Sequence, residues 1–147
     1  MPAFDTSTSL CIICGQVNPI GMRLVFHEVE HGVAAGIRVS TEWQGYEAIV
    51  HGGIVAGMLD DAMWHAIYQE TSRFTVTAEL CVRYKRPVTV GQLIWLSGRV
   101  DRMNARLIRA EAEIRQDDAM GSILATAEGR FMPAPEGMII GSRHDAQ

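Results

Sequence analysis

The sequence has 147 residues, of which 48% are hydrophobic and 20% are charged, an ordinary composition for one globular domain. Its formal net charge is −4 and it contains no long basic run, which argues against a dedicated nucleic-acid binder. No apolar run approaches the roughly 20 residues that a membrane span needs. Because the first residues also lack the features of a signal peptide, we expect a cytoplasmic protein.

Two of the three cysteines, Cys11 and Cys14, have the spacing that zinc sites and redox pairs share. A structural zinc site needs four ligands, and a second pair is absent, although His27 or His31 could complete the set. The favoured prediction is two reduced thiols in an N-terminal segment that packs on the core, with no metal and no cofactor. Four histidines without a partner at ligand spacing are interpreted as structural or exposed: His27, His31, His65 and His144.

Three segments precede the predicted chemical centre. Residues 1–21 show little periodicity and are predicted to form an N-terminal loop segment. Strand formers dominate from Met22 to Glu30, and apolar residues alternate with others from Val33 to Ser40, which predicts two strands joined by a turn. Residues 41–50 are predicted to form a loop.

A long helix is predicted from Gly52 to about Thr71, where apolar residues recur at steps of three and four. The apolar arc is wide, so we expect this helix to be buried at the centre of the domain. One stripe of the helix carries Gly53, Gly57, Asp60 and Trp64. Asp60, unlike its neighbour Asp61, therefore lies on the side that glycine flattens, where a ligand or another chain can approach.

Period-two alternation in four further segments predicts four strands after the helix. Thr77 is expected to point away from five residues that share the other face of the first of these strands: Val76, Ala78, Leu80, Val82 and Tyr84. Turns are predicted at residues 101–104 and 116–118. Proline ends the regular structure at Pro133, and the tail over residues 133–147 is predicted to be mobile or to pack on a partner.

The predicted order of two strands, one long helix and four strands indicates an α+β domain over residues 22–132. Short turns make the strands antiparallel, and one six-stranded sheet can wrap one side of the helix. The remaining apolar surface needs cover, which the pairing of two sheets or of two subunits would supply.

His51, Gly52 and Gly53 stand at the predicted helix start. The glycines let a ligand approach the backbone and leave free N–H groups at the positive end of the helix dipole, which suits an anion or a developing oxyanion. Asp60 lies two turns further on, where a carboxylate is costly unless it is hydrogen-bonded or functional. Purely structural explanations remain open, since glycine pairs often form tight turns and helical acids often pair with arginine.

Five motifs in this order resemble the hotdog-fold thioesterases, specifically the phenylacetate-degradation type, over residues 11–132. They are CGQVNPIG at residues 14–21, QGYEAIVHGG at 44–53, an acid nine residues after His51, TAEL with YKRP at 77–80 and 84–87, and a last strand from Gly121 to Phe131. The resemblance implies a hotdog fold, in which a six-stranded antiparallel sheet wraps a long central helix. It also implies hydrolysis of acyl-CoA thioesters by a homodimer or a dimer of dimers, a homotetramer.

The same resemblance implies roles for four residues. The Gly52 N–H would polarise the thioester carbonyl, and His51 would shape the turn beside it. Asp60 would act as general base or nucleophile from the opposite subunit of the dimer. Thr77 matches a position that supports the attacking water or the carboxylate.

Substrate-binding residues are expected around these positions. Gly53 and Trp64 lie on the helix stripe, and Gln44 is one residue from the position where the family often has Asn or Gln, which here is Gly45. Three basic residues would meet the phosphates of coenzyme A: Arg83, Lys85 and Arg86. Aryl, medium-chain and long-chain acyl groups all remain open.

Two other functions remain open on the same fold. A non-catalytic acyl-CoA-binding module would bind the thioester without releasing a thiol. A hotdog dehydratase would hydrate an enoyl-CoA, although the sequence around His51 differs from that class.

Overall fold

The computed structural model describes residues 3–138, which contain one long α-helix and six β-strands. The helix, α1, spans Gly52–Thr71, as the sequence predicts, and follows a short 3-10 helix at Thr41–Trp43. The strands are β1 (His27–Val29), β2 (Gly32–Arg38), β3 (Thr75–Tyr84), β4 (Leu93–Met103), β5 (Ile108–Gln116) and β6 (Ile123–Pro133). The predicted element order is therefore confirmed, whereas His144 and most of the predicted tail lie outside the described residues.

All six strands form one antiparallel sheet, in the order β1-β2-β4-β5-β6-β3. The helix α1 packs on one face of this sheet, mainly against β4 and β5. This arrangement confirms the predicted α+β architecture. It also leaves β3 at an edge of the sheet, beside the residues that are described below as the candidate site.

The hydrophobic core lies between α1 and the sheet, as the wide apolar arc of the helix predicts. Met58, Leu59 and Ala62 of α1 are completely buried. A Cβ atom on Gly98 of β4 would lie 2.4 Å from the carbonyl oxygen of Ala62, so glycine at this position lets the helix approach the sheet backbone closely. No helix within residues 3–138 is long and apolar enough to cross a membrane.

The first strand is shorter than the sequence predicts, because β1 begins only at His27. The N–H groups of Met22 and Leu24 instead donate to the carbonyl oxygens of Ile12 and Ile13, both at 2.9 Å. Residues 22–26 therefore hold the N-terminal segment rather than extend the sheet. The prediction of a strand from Met22 was wrong, since strand propensity does not identify the pairing partner.

Two β-bulges make the structure differ from what simple alternation predicts. In β3, the register with β6 shifts between Thr77 and Glu79, so Ala78 is an extra residue. Thr77 consequently shares the helix-facing side of the sheet with Leu80, and the prediction that these two residues face opposite ways was wrong. A second bulge in β4 lets that strand run through the predicted turn at residues 101–104, and the chain turns after Met103 instead.

Candidate active site

The loop before α1 fixes the helix start through His51, the N-cap residue. The Nδ1 atom of His51 accepts a hydrogen bond of 2.8 Å from the Gly53 N–H. The backbone N–H of His51 donates to the Trp43 carbonyl oxygen at 2.9 Å. A Cβ atom on Gly45 would come within 3.3 Å of the His51 ring. Because Nδ1 is an acceptor here, a neutral His51 carries its proton on Nε2.

Gly52 is the first residue of α1 and is exposed. Among residues 3–138, no hydrogen bond uses the Gly52 N–H, whereas the Gly52 carbonyl oxygen accepts a bond of 2.6 Å from the Tyr84 hydroxyl. An unpaired N–H at a helix N-terminus points outward with the positive end of the helix dipole. Tyr84 was not among the predicted site residues, and strand alternation indicated its face but not its partner.

Asp60 lies two turns along the helix from Gly52. Its Oδ1 atom accepts a hydrogen bond of 2.7 Å from the Thr77 hydroxyl. Burial raises the pKa of Asp60 above the ordinary aspartate value, and the bond from Thr77 opposes that shift more weakly. The pair thus forms a half-buried carboxylate with a stronger basicity than usual. The bulge in β3 makes this contact possible, since it brings Thr77 to the helix-facing side.

Asp60 borders a cavity of about 310 Å³ whose other lining is mostly apolar. Trp64 forms one wall and is fixed by a hydrogen bond of 3.1 Å from its Nε1 to the Thr75 carbonyl oxygen. The remaining lining residues are Phe4, Ser9, Cys11, Cys14, Asp61, Phe74, Thr75 and Met138. The predicted proximity of Trp64 to Asp60 therefore corresponds to a shared cavity.

Phe4, in the N-terminal segment, closes this cavity against the aromatic side chains of the helix. Its ring lies edge-on to Trp64 and to Tyr68, with both centroid distances at 5.1 Å. Met138, at the other end of the described chain, lines the same cavity. Both ends of the described chain thus contribute to the pocket beside Asp60.

Asp61 faces the N-terminal segment rather than Thr77. One of its oxygens, Oδ1, lies 3.9 Å from the Cys11 Sγ, and the other, Oδ2, lies 3.6 Å from Nε2 of His65. Burial is the main cause that raises the pKa of Asp61, and burial also lowers the pKa of His65 to about 4. The two consecutive acids therefore have different surroundings. Of the two alternatives predicted for His65, structural or exposed, the structure agrees with the first, because its side chain is buried.

His27 and His31, which the sequence offered as further zinc ligands, have other surroundings. His27 in β1 lies against the Trp95 ring at 5.8 Å, and His31 stands beside Glu30 at the surface. Neither residue joins the group of Cys11, Cys14 and Asp61 whose ligand atoms are mutually close.

Gln44 and the basic residues occupy three different places. The Oε1 atom of Gln44 accepts a bond of 3.1 Å from the Ala48 N–H, so this side chain braces the loop before the helix. Lys85 and Arg86 directly follow Tyr84, and their side chains are exposed. Arg83 lines a separate cavity of about 440 Å³, together with Glu113 and Glu128. The register with β6 puts Arg83 on the sheet face away from α1.

The structure thus arranges the predicted residues in two groups. One group surrounds the helix start and comprises His51, Gly52 and Gly53, with Tyr84 as an addition. The other group lies two turns along α1 and comprises Asp60, Thr77 and Trp64. Arg83 belongs to neither group.

Comparison with known proteins identifies the family of the chain. The sequence profile of the thioesterase superfamily matches residues 47–123, about half of the chain, and this range includes both groups. The chain belongs to the thioesterase superfamily.

A curated relative is the acyl-coenzyme A thioesterase THEM4 of Bos taurus, which is 27% identical over 89 residues. The alignment covers 60% of this chain and 35% of the relative, so the chain spans about a third of the length of that protein.

Three solved structures are similar to this fold. A crystal structure of a thioesterase superfamily protein has a TM-score of 0.76 and 25% identity, covering 84% of this chain and 60% of the other. Zebrafish thioesterase superfamily member 2 has a TM-score of 0.70 and 18% identity, covering 80% and 86%. The BH2602 protein from Bacillus halodurans, solved with CoA, has a TM-score of 0.66 and 23% identity, covering 76% and 74%. The predicted hotdog fold is therefore confirmed.

Proposed function

We propose that this chain hydrolyses acyl-CoA thioesters. The observation that carries the proposal is the Asp60 carboxylate, held by Thr77 at the wall of a largely apolar cavity. The name of the THEM4 relative and the CoA in the Bacillus halodurans structure support the substrate class. A cavity of about 310 Å³ is suited to an acyl chain or a small aryl group.

Asp60 is proposed to act as the general base. Its Oδ1 atom accepts the bond from Thr77, which leaves Oδ2 to take a proton from water. The water oxygen attacks the thioester carbonyl carbon, and the tetrahedral intermediate then expels the thiolate of coenzyme A. That thiolate receives the proton from Asp60, so the products are the free acid and coenzyme A. Attack by the carboxylate itself would instead expel the coenzyme A thiolate and form a mixed anhydride between Asp60 and the acyl group, which water would then hydrolyse.

The Gly52 N–H is proposed to stabilise the oxyanion of the intermediate. It is unpaired among the described residues and lies at the positive end of the α1 dipole. One such donor typically contributes about 10²–10³-fold to the rate. His51 and Gly53 support it, because their mutual hydrogen bond fixes the turn.

Asp60 and Gly52 of one chain are too far apart to act on the same carbonyl group. Gly52 and Asp60 are eight positions apart, and at 1.5 Å per residue the separation along the helix axis is about 12 Å. The base must lie about 3 Å from the attacking water, and the oxyanion donor must lie about 3 Å from the carbonyl oxygen. We therefore propose that each site combines Asp60 of one subunit with the helix start of another.

The edge strand β3 is the proposed dimer interface. Its outer edge has no strand partner within the described residues, and Leu80 and Tyr84 on it are 36% and 55% exposed. Thr77 is exposed on the same strand, and its partner Asp60 is half-buried. Antiparallel pairing of two β3 strands would satisfy their free backbone groups and cover these side chains. The molecular mass in solution distinguishes this dimer from a dimer of dimers.

Lys85 and Arg86 are the proposed contacts for the coenzyme A phosphates. They follow Tyr84, whose hydroxyl reaches the Gly52 carbonyl oxygen, so they lie at the same end of α1 as the proposed oxyanion donor. Arg83 points to the sheet face away from α1 and is less suited to this role in the same subunit. Gln44 is proposed to act indirectly, by holding the loop that carries His51.

The first test measures thiol release from a panel of aryl and alkyl acyl-CoAs by the wild-type chain. Binding without thiol release would identify the acyl-CoA-binding module instead. The second test uses mixed dimers, in which one subunit carries Asp60→Asn and the other carries Gly52→Pro. A shared site predicts about half of the wild-type activity, since one of the two sites keeps both groups. Inactive mixed dimers, with both variants folded, would contradict the shared site.

A further inference from the structure

A group of thiol and carboxylate side chains joins the N-terminal segment to the central helix. The Sγ atoms of Cys11 and Cys14 and a carboxylate oxygen of Asp61 all lie within 4.8 Å of one another. The Cys11 Sγ and the Asp61 Oδ1 are separated by 3.9 Å, although these residues are 50 positions apart in the sequence. The fold, rather than sequence spacing, therefore brings the third member to the cysteine pair.

The cysteine turn is shaped so that Cys11 presents its sulfur inward. The N–H groups of Ile13 and Cys14 both point at the Cys11 Sγ, at 3.4 and 3.5 Å. Hydrogen bonds of this kind favour a thiolate over a thiol. A Cβ atom on Gly15 would lie 2.4 Å from the Ser9 carbonyl oxygen, so the tight turn after the pair requires glycine.

Two buried polar atoms at the same place have no hydrogen-bond partner within the described residues. They are Oδ2 of Asp61 and Nε2 of His65, and the His65 side chain is only 5% exposed. His65 Nε2 points toward Asp61 Oδ2 at 3.6 Å, just beyond hydrogen-bond distance. Buried polar atoms normally have partners, so the described residues leave this end of the Asp61 carboxylate unsatisfied.

We propose that Cys11, Cys14 and Asp61 bind a divalent metal ion of the zinc class. Without a metal, the Cys11 thiol donates to Asp61 Oδ1. A cation among these three groups would replace their protons and offset the repulsion between two thiolates and a carboxylate. Thiolate ligands select zinc over magnesium or calcium. In a tetrahedral zinc site with bonds of about 2.0–2.3 Å, ligand atoms are roughly 3.5–3.8 Å apart, so the distance of 3.9 Å between Cys11 and Asp61 requires little movement.

His65 is assigned to the outer shell of this site. Its Nε2 atom would donate to the carboxylate oxygen of Asp61 that does not bind the metal, and such donors orient metal-binding carboxylates. All three ligands line the cavity beside Asp60, so the fourth coordination position faces that cavity and takes water. The ion would therefore tie the N-terminal segment to α1 at the wall of the acyl pocket.

This assignment changes the interpretation of the cysteine pair. The sequence favoured two reduced thiols without a metal, because His27 and His31 were the only evident candidates to complete a ligand set. The structure offers Asp61 in their place. The proposal does not depend on thioester hydrolysis, since metal binding is measured without substrate.

The first experiment measures zinc content by mass spectrometry in protein purified with a non-chelating reductant. Wild type and Cys81→Ser should each contain about one zinc ion per chain, whereas Cys14→Ser and Asp61→Asn should contain little. Cys81 is the matched control because it is the third free cysteine and lies on the exposed face of β3. Asp60→Asn should retain the metal, which separates this site from the proposed catalytic base.

A second measurement needs no variant that could misfold. Cobalt added to the metal-stripped wild-type chain should give the intense absorption of a cobalt–thiolate bond. A thiol-reactive dye should label Cys81 at once, and it should label Cys11 and Cys14 much faster after a chelator is added. The proposal is overturned if the wild-type chain lacks both zinc and the cobalt band. It is also overturned if the chelator does not change the labelling rate of Cys11 and Cys14, or if Cys14→Ser binds as much zinc as wild type. A mass lower by two hydrogens, with no metal uptake after reduction, would also overturn it.

Discussion

The hydroxyl of Thr77 donates a hydrogen bond to Oδ1 of Asp60, across 2.7 Å between strand β3 and helix α1. This bond fixes one oxygen of the carboxylate and leaves the other for proton transfer, in a residue that borders the cavity. A general base needs that division, because one oxygen must be oriented while the other takes a proton.

Replacement of Asp60 by asparagine should reduce kcat by about 10²–10⁴-fold, because the base is lost while the shape is kept. The fold should not suffer, since the amide oxygen of the new side chain still accepts the bond from Thr77 and a half-buried charge is removed. Steady-state kinetics and a melting curve check both expectations. Unchanged turnover, or a clear loss of melting temperature, would contradict this view of Asp60.

Thr77→Val should lower kcat more than it changes KM, because the carboxylate keeps its place but loses its orientation. Hydrogen bonds to charged groups contribute about 1.5–3 kcal/mol, so we expect a rate loss of roughly 10–100-fold. Thr77→Ser keeps the hydroxyl and is the matched control, with activity close to wild type. Equal activity of the valine and serine variants would show that the bond has no role in turnover.

Gly52→Pro isolates the contribution of one N–H group. Proline suits the first position of a helix, and His51 already has φ −57° and ψ 135°, the extended conformation that a following proline requires. We expect a loss in kcat of about 10²–10³-fold with the helix intact. Gly52→Ala keeps the N–H, and its Cβ would lie 3.6 Å from the Tyr84 hydroxyl, an ordinary contact. If both variants lose activity equally, the effect is steric rather than electrostatic.

Gly98→Ala should destabilise the fold, because the new Cβ would lie 2.4 Å from the Ala62 carbonyl oxygen and the helix must move. Overpacking of this kind costs about 1–3 kcal/mol of unfolding free energy. Gly36→Ala in β2 is the control, since its nearest neighbour would be 3.9 Å away, and its stability should be equal or higher. Urea denaturation of both variants measures the difference, and similar midpoints would refute the close-approach argument.

Local periodicity was sufficient to predict α1, with both of its ends, and the order of the strands. It could not predict the bulge at Ala78, because an extra residue leaves the local composition unchanged while it reverses the side of Thr77. The contact between Thr77 and Asp60 was thus anticipated from family resemblance and not from alternation. The approach of Asp61 to Cys11 was equally inaccessible, since it depends on how the N-terminal segment crosses α1.

The placement of Phe4 and Met138 in the cavity wall has a consequence for how this protein could diversify. Both residues lie outside the region that the superfamily profile matches, residues 47–123, whereas Asp60 and Thr77 lie inside it. Substitutions near either end of the described chain can therefore reshape the proposed acyl pocket without touching the residues proposed for catalysis. If the chain hydrolyses acyl-CoA as proposed, its selectivity for acyl groups can evolve separately from the hydrolytic step.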